Sequence, residues 1–311
     1  MLQAEVLDID VTGHRIKTSE AEVHFDRLVI ALGADLAPEA LDGFTDAAHN
    51  VYSLDGAVSA AEALRHFDGG RVAVMVSRLP YKCPAAPYET AFLTEALLRH
   101  RTVRDRTSIA IYTPEPFPMP TAGPVLGEAL AAMLRRRGID FHPNHTVEHV
   151  DSDANELVLA GGERAGFDLL LGVPAHRAPT VLASSGLTAD TGFIPVDQST
   201  LATSADGVFA IGDATTIPVA GGKFLPKAGV FAEAEARVVA RNIADELAGR
   251  HPSATFDGHG ACFVELGDGR GAFATGDFYA AESPKVRLRR PGPQWHLAKV
   301  AFEQYWMRRW A

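Results

Sequence analysis

The chain has 311 residues, 47% apolar and 22% charged, enough to bury one large core or two modest ones. A formal charge of −10 excludes a general nucleic-acid binder, which needs a basic face, and no run approaches the ~18 apolar residues of a membrane span. No charged-then-apolar signal pattern opens the chain, so the expected location is cytoplasmic, and two cysteines in this length are no disulfide framework.

In chain order, residues 6–10 (Val-Leu-Asp-Ile-Asp) lead through a polar turn and a short apolar strand to Phe25-Asp26-Arg27-Leu28-Val29-Ile30-Ala31-Leu32-Gly33-Ala34. That pattern predicts an antiparallel meander feeding a buried parallel strand. A strand over 72–76, a helix over about 88–99, a strand over 108–112 and a helix over about 123–137 follow. Strands alternating with helices predict a parallel sheet. Residues 147–175 then repeat the opening: Val147-Glu148-His149-Val150-Asp151, a polar turn, 156–159, and Phe167-Asp168-Leu169-Leu170-Leu171-Gly172. The spacing from Asp10 to Phe25 is 15 residues and from Asp151 to Phe167 it is 16, which points to a duplicated unit. Only five residues precede the first copy, so the expectation is that roughly 75 to 90 residues of β-α-β structure are missing from its front.

A nicotinamide site would place a glycine-rich turn after the strand at 72–76, letting helix-terminal N–H groups reach a pyrophosphate. No glycine occurs between Arg71 and Ala122. NAD(P)H is therefore not the expected reductant. The turn instead holds Cys83 between prolines and beside Lys82, six residues ahead of Glu89. Prolines restrict the loop and a neighbouring cation favours thiolate, so this cysteine, at the fold's ligand-binding edge, is read as functional rather than structural. The cluster His142, His145 and His149 falls where a loop leading into a strand is expected, with no further ligands to complete a metal site. None is assigned.

Two later features complete the pattern. Val208-Phe209-Ala210-Ile211-Gly212-Asp213 is a strand ending in Gly-Asp, and 221–229, with Lys227, opens a helix over about 230–247. From Lys285 to Ala311 the charge is +6, leaving −16 for the rest, and this tail carries Trp295, Phe302, Tyr305, Trp306 and Trp310 near a helical period. Such a helix suits either a membrane surface or a cap packed on the core, and both readings stay open.

The run 26–34, the Gly212-Asp213 strand end and the order between them resemble the FAD-dependent pyridine nucleotide-disulfide oxidoreductase superfamily. The stretch Lys82-Cys83-Pro84-Ala85-Ala86-Pro87-Tyr88-Glu89 and the segment 260–267 around Cys262 are similar to the cysteine motifs of sulfide:quinone oxidoreductases and flavocytochrome c sulfide dehydrogenases. The resemblance implies an α/β fold of two Rossmann-like, glutathione reductase-type domains, the first incomplete at its N-terminus, with a C-terminal α+β tail. The implied segments are 1–52 and 176–250 for the FAD-binding domain, 53–175 for a degenerate NAD-type domain, and 251–311 for the tail.

The resemblance also implies Cys83 and Cys262 as a redox pair facing the flavin and Glu89 as a proton-moving acid, with FAD as cofactor. Gly33, Gly212, Asp213 and Lys227 are the implied cofactor contacts. Sulfide, a persulfide or another thiol is the implied reductant, and a quinone or cytochrome the acceptor, with peripheral contact at the inner membrane face and a homo-oligomer left open. Asn50-Val51-Tyr52 is the neighbourhood where several members have a third cysteine, and 117–121 lacks a histidine common in the family. The alternative is a truncated, flavin-free interaction module, because the front of the first domain would hold the ADP half of FAD.

Overall fold

A computed structural model describes residues 1–310, and the chain divides into two compact units. Met1–Asp35, Arg177–Gly260 and Asp277–Pro284 form the first; Leu36–His176, Ala261–Gly276 and Lys285–Ala311 form the second, whose last residue lies outside the described set.

The second unit is built on a five-stranded parallel sheet in the order Ala48–Asn50, Leu169–Val173, Gly70–Val76, Thr107–Tyr112, Ile139–His142. The apolar run at 72–76 is buried throughout, as a central parallel strand covered on both faces must be. The crossovers are made by the helices Ala86–His100 and Pro124–Arg136, within two residues of the ends predicted. His142 closes a parallel strand instead of lying in a loop, and its ring stacks on Tyr112 with centroids 4.5 Å apart. The histidine pattern thus belongs partly to sheet packing.

The repeat is present in the backbone. Val6–Asp10, Arg15–Thr18 and Glu22–His24 form one three-stranded antiparallel sheet, in the first unit; Val147–Asp151, Glu156–Leu159 and Arg164–Gly166 form the other, in the second. Both carry an irregularity at the same place, between Val6 and Asp8 and between Val147 and His149. A matching bulge in two copies is a detail that alternation alone does not demand. Each meander is followed by a parallel strand: Leu28–Ile30, paired with Val208–Ala210, and Leu169–Val173.

The units meet the chain at Asp35/Leu36, earlier than residue 52. The cause is packing. Leu41 and Phe44 enter the core made by Val147, Val150, Leu157 and Leu170, and Ala48–Asn50 adds the edge strand beside Leu169–Val173. Gly43, at φ +74°, lies where any Cβ would come 1.9 Å from the Val150 carbonyl oxygen, so glycine is obligatory at this approach. Residues 251–311 likewise do not form a separate segment: most of the sheet His259–Glu265, Gly271–Asp277, Lys285–Leu288 and the helix Pro293–Trp310 belong to the second unit. No helix among the described residues is long and apolar enough to cross a membrane.

Candidate functional site

Cys83 lies in the loop between the strand Gly70–Val76 and the helix Ala86–His100, exposed and at φ +52°. A side chain at positive φ costs about 1 to 2 kcal/mol and persists only where surrounding contacts hold it. Here the Cys83 carbonyl accepts from the Tyr52 hydroxyl at 3.0 Å and from the Ala86 N–H at 2.9 Å. Tyr52, in the stretch 50–52, thus fixes the backbone of Cys83.

Cys262, half-buried on the strand His259–Glu265, belongs to the same unit. Burial pushes its thiol up to about 12; negative charge on Cys83 and on Glu89 pushes in the same direction, and Lys299 opposes them. Cys262 therefore keeps its proton at neutral pH, and Cys83 lies within electrostatic reach of it.

Glu89 joins three elements. Its Oε1 accepts from the Lys299 ammonium at 2.7 Å and from the Glu265 backbone N–H at 2.7 Å, linking the first turn of the cysteine helix to the Cys262 strand and to the C-terminal helix. Burial pulls the Lys299 ammonium down, but Glu89, with Glu265 and Cys83, outweighs it and holds the lysine protonated. Lys299 was legible in the sequence only as one charge of a basic tail. Its partner lies 210 residues away.

Beneath the loop lies a carboxyl that the sequence did not single out. Glu115 is 2% exposed; it accepts from the Tyr88 hydroxyl and from the Thr113 hydroxyl, the latter at 3.2 Å, and hydrogen-bonds the Tyr81 side chain. Burial raises it to about 7, with these donors and the Met119 backbone pulling the other way. A carboxyl raised from 4.5 binds its proton more tightly folded than unfolded, so its stabilising contribution is full below about 4.5 and is lost as pH rises through 7. Wild type is expected to lose stability relative to Glu115→Gln between pH 5 and 8, by on the order of 3 kcal/mol. Urea unfolding of both proteins at the two pH values checks this; a difference that stays constant would show that the carboxyl does not titrate in that window.

The first unit brings together Gly212, Asp213 and Lys227. They line a small cavity with Thr215, Phe231 and Glu235. Gly212 takes φ +68°, where a Cβ would also press on Ala232 at 3.0 Å, and its N–H donates to Glu235 at 2.6 Å. Lys227 is buried, not a surface lysine: its ammonium donates to the Asp213 and Thr215 carbonyls at 2.7 and 2.8 Å and sits 3.5 Å over the Phe193 ring. Burial pulls it down to about 8 against the nearby Asp213 and Glu235 carboxylates. Gly33, at φ +73°, has open space where a Cβ would be, so its backbone and not crowding requires glycine. A positive-φ glycine beside a carboxylate and a buried cation fits the polar part of a flavin nucleotide, which calls for close backbone approach and hydroxyl acceptors.

The family model for pyridine nucleotide-disulphide oxidoreductases matches residues 1–236. The chain belongs to this family. Its members are FAD-binding oxidoreductases. The chain is 25% identical over 297 residues to the mitochondrial sulfide:quinone oxidoreductase of Mus musculus, covering 90% of this chain and 63% of that protein. It is 27% identical over 298 residues to that of Schizosaccharomyces pombe, covering 88% and 61%. The chain thus spans less than two thirds of the length of these two relatives. The X-ray structure of the sulfide:quinone oxidoreductase of Aquifex aeolicus superimposes with a TM-score of 0.83 at 20% identity, over 98% of this chain and 74% of that one, a likeness of fold.

Proposed function

We propose that the chain is the FAD-dependent catalytic part of a sulfide:quinone oxidoreductase-like enzyme. The observation that carries this reading is that Cys83, Cys262, Glu89 and Lys299 form one electrostatic cluster, with the two cysteines 179 residues apart in sequence. Hydrosulfide attacks Cys83 Sγ of an oxidised Cys83–Cys262 pair. One sulfur–sulfur bond forms as the other breaks, leaving a persulfide anion on Cys83 near the Lys299 ammonium. The hydrosulfide proton goes to Cys262, whose raised thiol retains it. Joining of the persulfide and the Cys262 thiol into a trisulfide releases two electrons and a proton. FAD, held by Gly212, Asp213 and Lys227, would supply the two-electron acceptor for this step, with a quinone as its oxidant. Glu89, already bonded to Lys299, holds the cation in place and offers a carboxylate for the released proton.

Anaerobic sulfide added to FAD-loaded protein is expected to bleach the oxidised flavin band, and a soluble quinone to restore it. Protein that takes up no flavin, or whose flavin ignores sulfide, would favour the interaction module instead.

NADH is expected to bleach the same band at less than about a hundredth of the sulfide rate, because productive hydride transfer requires tight positioning of the nicotinamide. The loop after Val76 has no glycine for a pyrophosphate to approach, and Tyr81 and Tyr88 are buried in it and in the turn that follows. Rapid reduction by NADH in a stopped-flow trace would overturn this expectation.

A further inference from the structure

Tyr81 precedes Cys83 by two residues and Tyr88 follows it by five, and both side chains run inward to the same buried carboxyl, Glu115. The Tyr81 hydroxyl also lies 3.4 Å from the Pro84 carbonyl, an alternative acceptor in the turn immediately after the cysteine. Glu115 sits just beyond the neighbouring strand Thr107–Tyr112 and is fixed from its own side by Thr113, whose hydroxyl donates to the carboxyl and accepts from the Glu115 N–H, each at 3.2 Å. One acceptor anchored to the sheet thus grips both ends of the cysteine loop, while Tyr52 grips its middle through the Cys83 carbonyl.

We propose that Glu115 is the positioning residue for Cys83, acting through Tyr81 and Tyr88 to hold the cysteine at positive φ with its sulfur within reach of Lys299. The inference rests on the thiol chemistry proposed above and extends it to a residue that touches no substrate. Its physical content is simple. A non-glycine residue at φ +52° relaxes toward negative φ when its restraints are removed, and the sulfur then leaves the field of the lysine that favours its thiolate. Among the described residues, the titratable groups that interact with Glu115 include the tyrosines 52, 81 and 88, all held neutral by burial.

The test reads Cys83 directly and needs no turnover. In the Cys262→Ser protein, where Cys83 is the sole remaining cysteine, alkylation by iodoacetamide is timed at neutral pH. Glu115→Ala is expected to slow it at least about fivefold, because the thiolate is the reacting species. Glu115→Gln, which can still accept from one tyrosine and donate to the other, is expected to restore the rate to within about twofold. If the alanine variant does not fold, Tyr81→Phe and Tyr88→Phe remove the two hydroxyls without opening a cavity, and each is expected to slow alkylation in the same sense. Folded alanine or phenylalanine variants that react within about twofold of the parent would reduce Glu115 to a structural acid and overturn the proposal, as would a glutamine variant as slow as the alanine. Failure of the parent enzyme to oxidise sulfide would count against the proposed function while leaving the alkylation result readable.

Discussion

Replacing Cys83 with serine is expected to lower sulfide-dependent flavin reduction by on the order of 10³-fold or more, because a hydroxyl can neither form the disulfide nor carry the persulfide. The fold should tolerate the change: the side chain is exposed, and its backbone is held by Tyr52 and Ala86 through the carbonyl, which serine retains. Cys262→Ser is expected to be as inactive, yet to leave Cys83 open to alkylation. Stopped-flow reduction by sulfide with a melting curve for each variant makes the measurement. A Cys83→Ser protein that keeps its rate within about tenfold would remove the cysteine from the mechanism and leave the charge pair Glu89–Lys299 without a thiol to serve.

Removing the helix Pro293–Trp310 is the second change of large expected effect. On one face Trp295 stacks on Phe273 with centroids 4.8 Å apart, Phe302 lies 6.4 Å from Phe263, and Lys299 and His296 bond Glu89 and Glu265 at 2.7 and 3.0 Å. Trp295 is half-buried and Phe302 half-exposed, so their lost contacts cost less than those of core aromatics, about 2 to 3 kcal/mol together; with the carboxylates also losing their partners, the melting midpoint should fall by roughly 5 °C or more, or the protein should aggregate. The cap reading of the tail therefore has named contacts on this face. The opposite face leaves Leu297, Val300 and Met307 exposed near Arg308 and Arg309; the side chain of Trp310 lies outside the described residues. Contact of this face with a quinone-bearing membrane is tested with Leu297→Asp and Met307→Asp, which spare the packed side. Sedimentation of the intact protein with anionic vesicles, weakened by salt and lost in those variants at an unchanged melting point, is the expected result. Intact protein that ignores such vesicles at low salt would direct attention to a soluble electron acceptor.

The sequence by itself determined the elements with a clear periodic pattern, but not the strand Ile139–His142. Period-two alternation separated by turn residues marked both meanders, and continuous apolar runs marked the parallel strands Gly70–Val76 and Leu169–Val173, because a strand covered on both faces has no polar side. The glycine-free turn and both cysteines were likewise visible, since each is a local feature of residue type. What the tertiary structure decided were the partners. That 36–50 belongs with the second unit follows from Phe44 finding Val147 and Leu157, a packing choice no window of sequence contains. Lys299 read as a tail charge until the fold set it against Glu89, and Glu115 read as one acid among many until burial, outweighing the hydroxyls that donate to it, raised its hold on a proton. Nothing in the local sequence shows that Lys227 is buried; the carbonyls of Asp213 and Thr215 and the Phe193 ring bury it. Electrostatic character depends on what surrounds a charge, and those surroundings come from residues tens to hundreds of positions away.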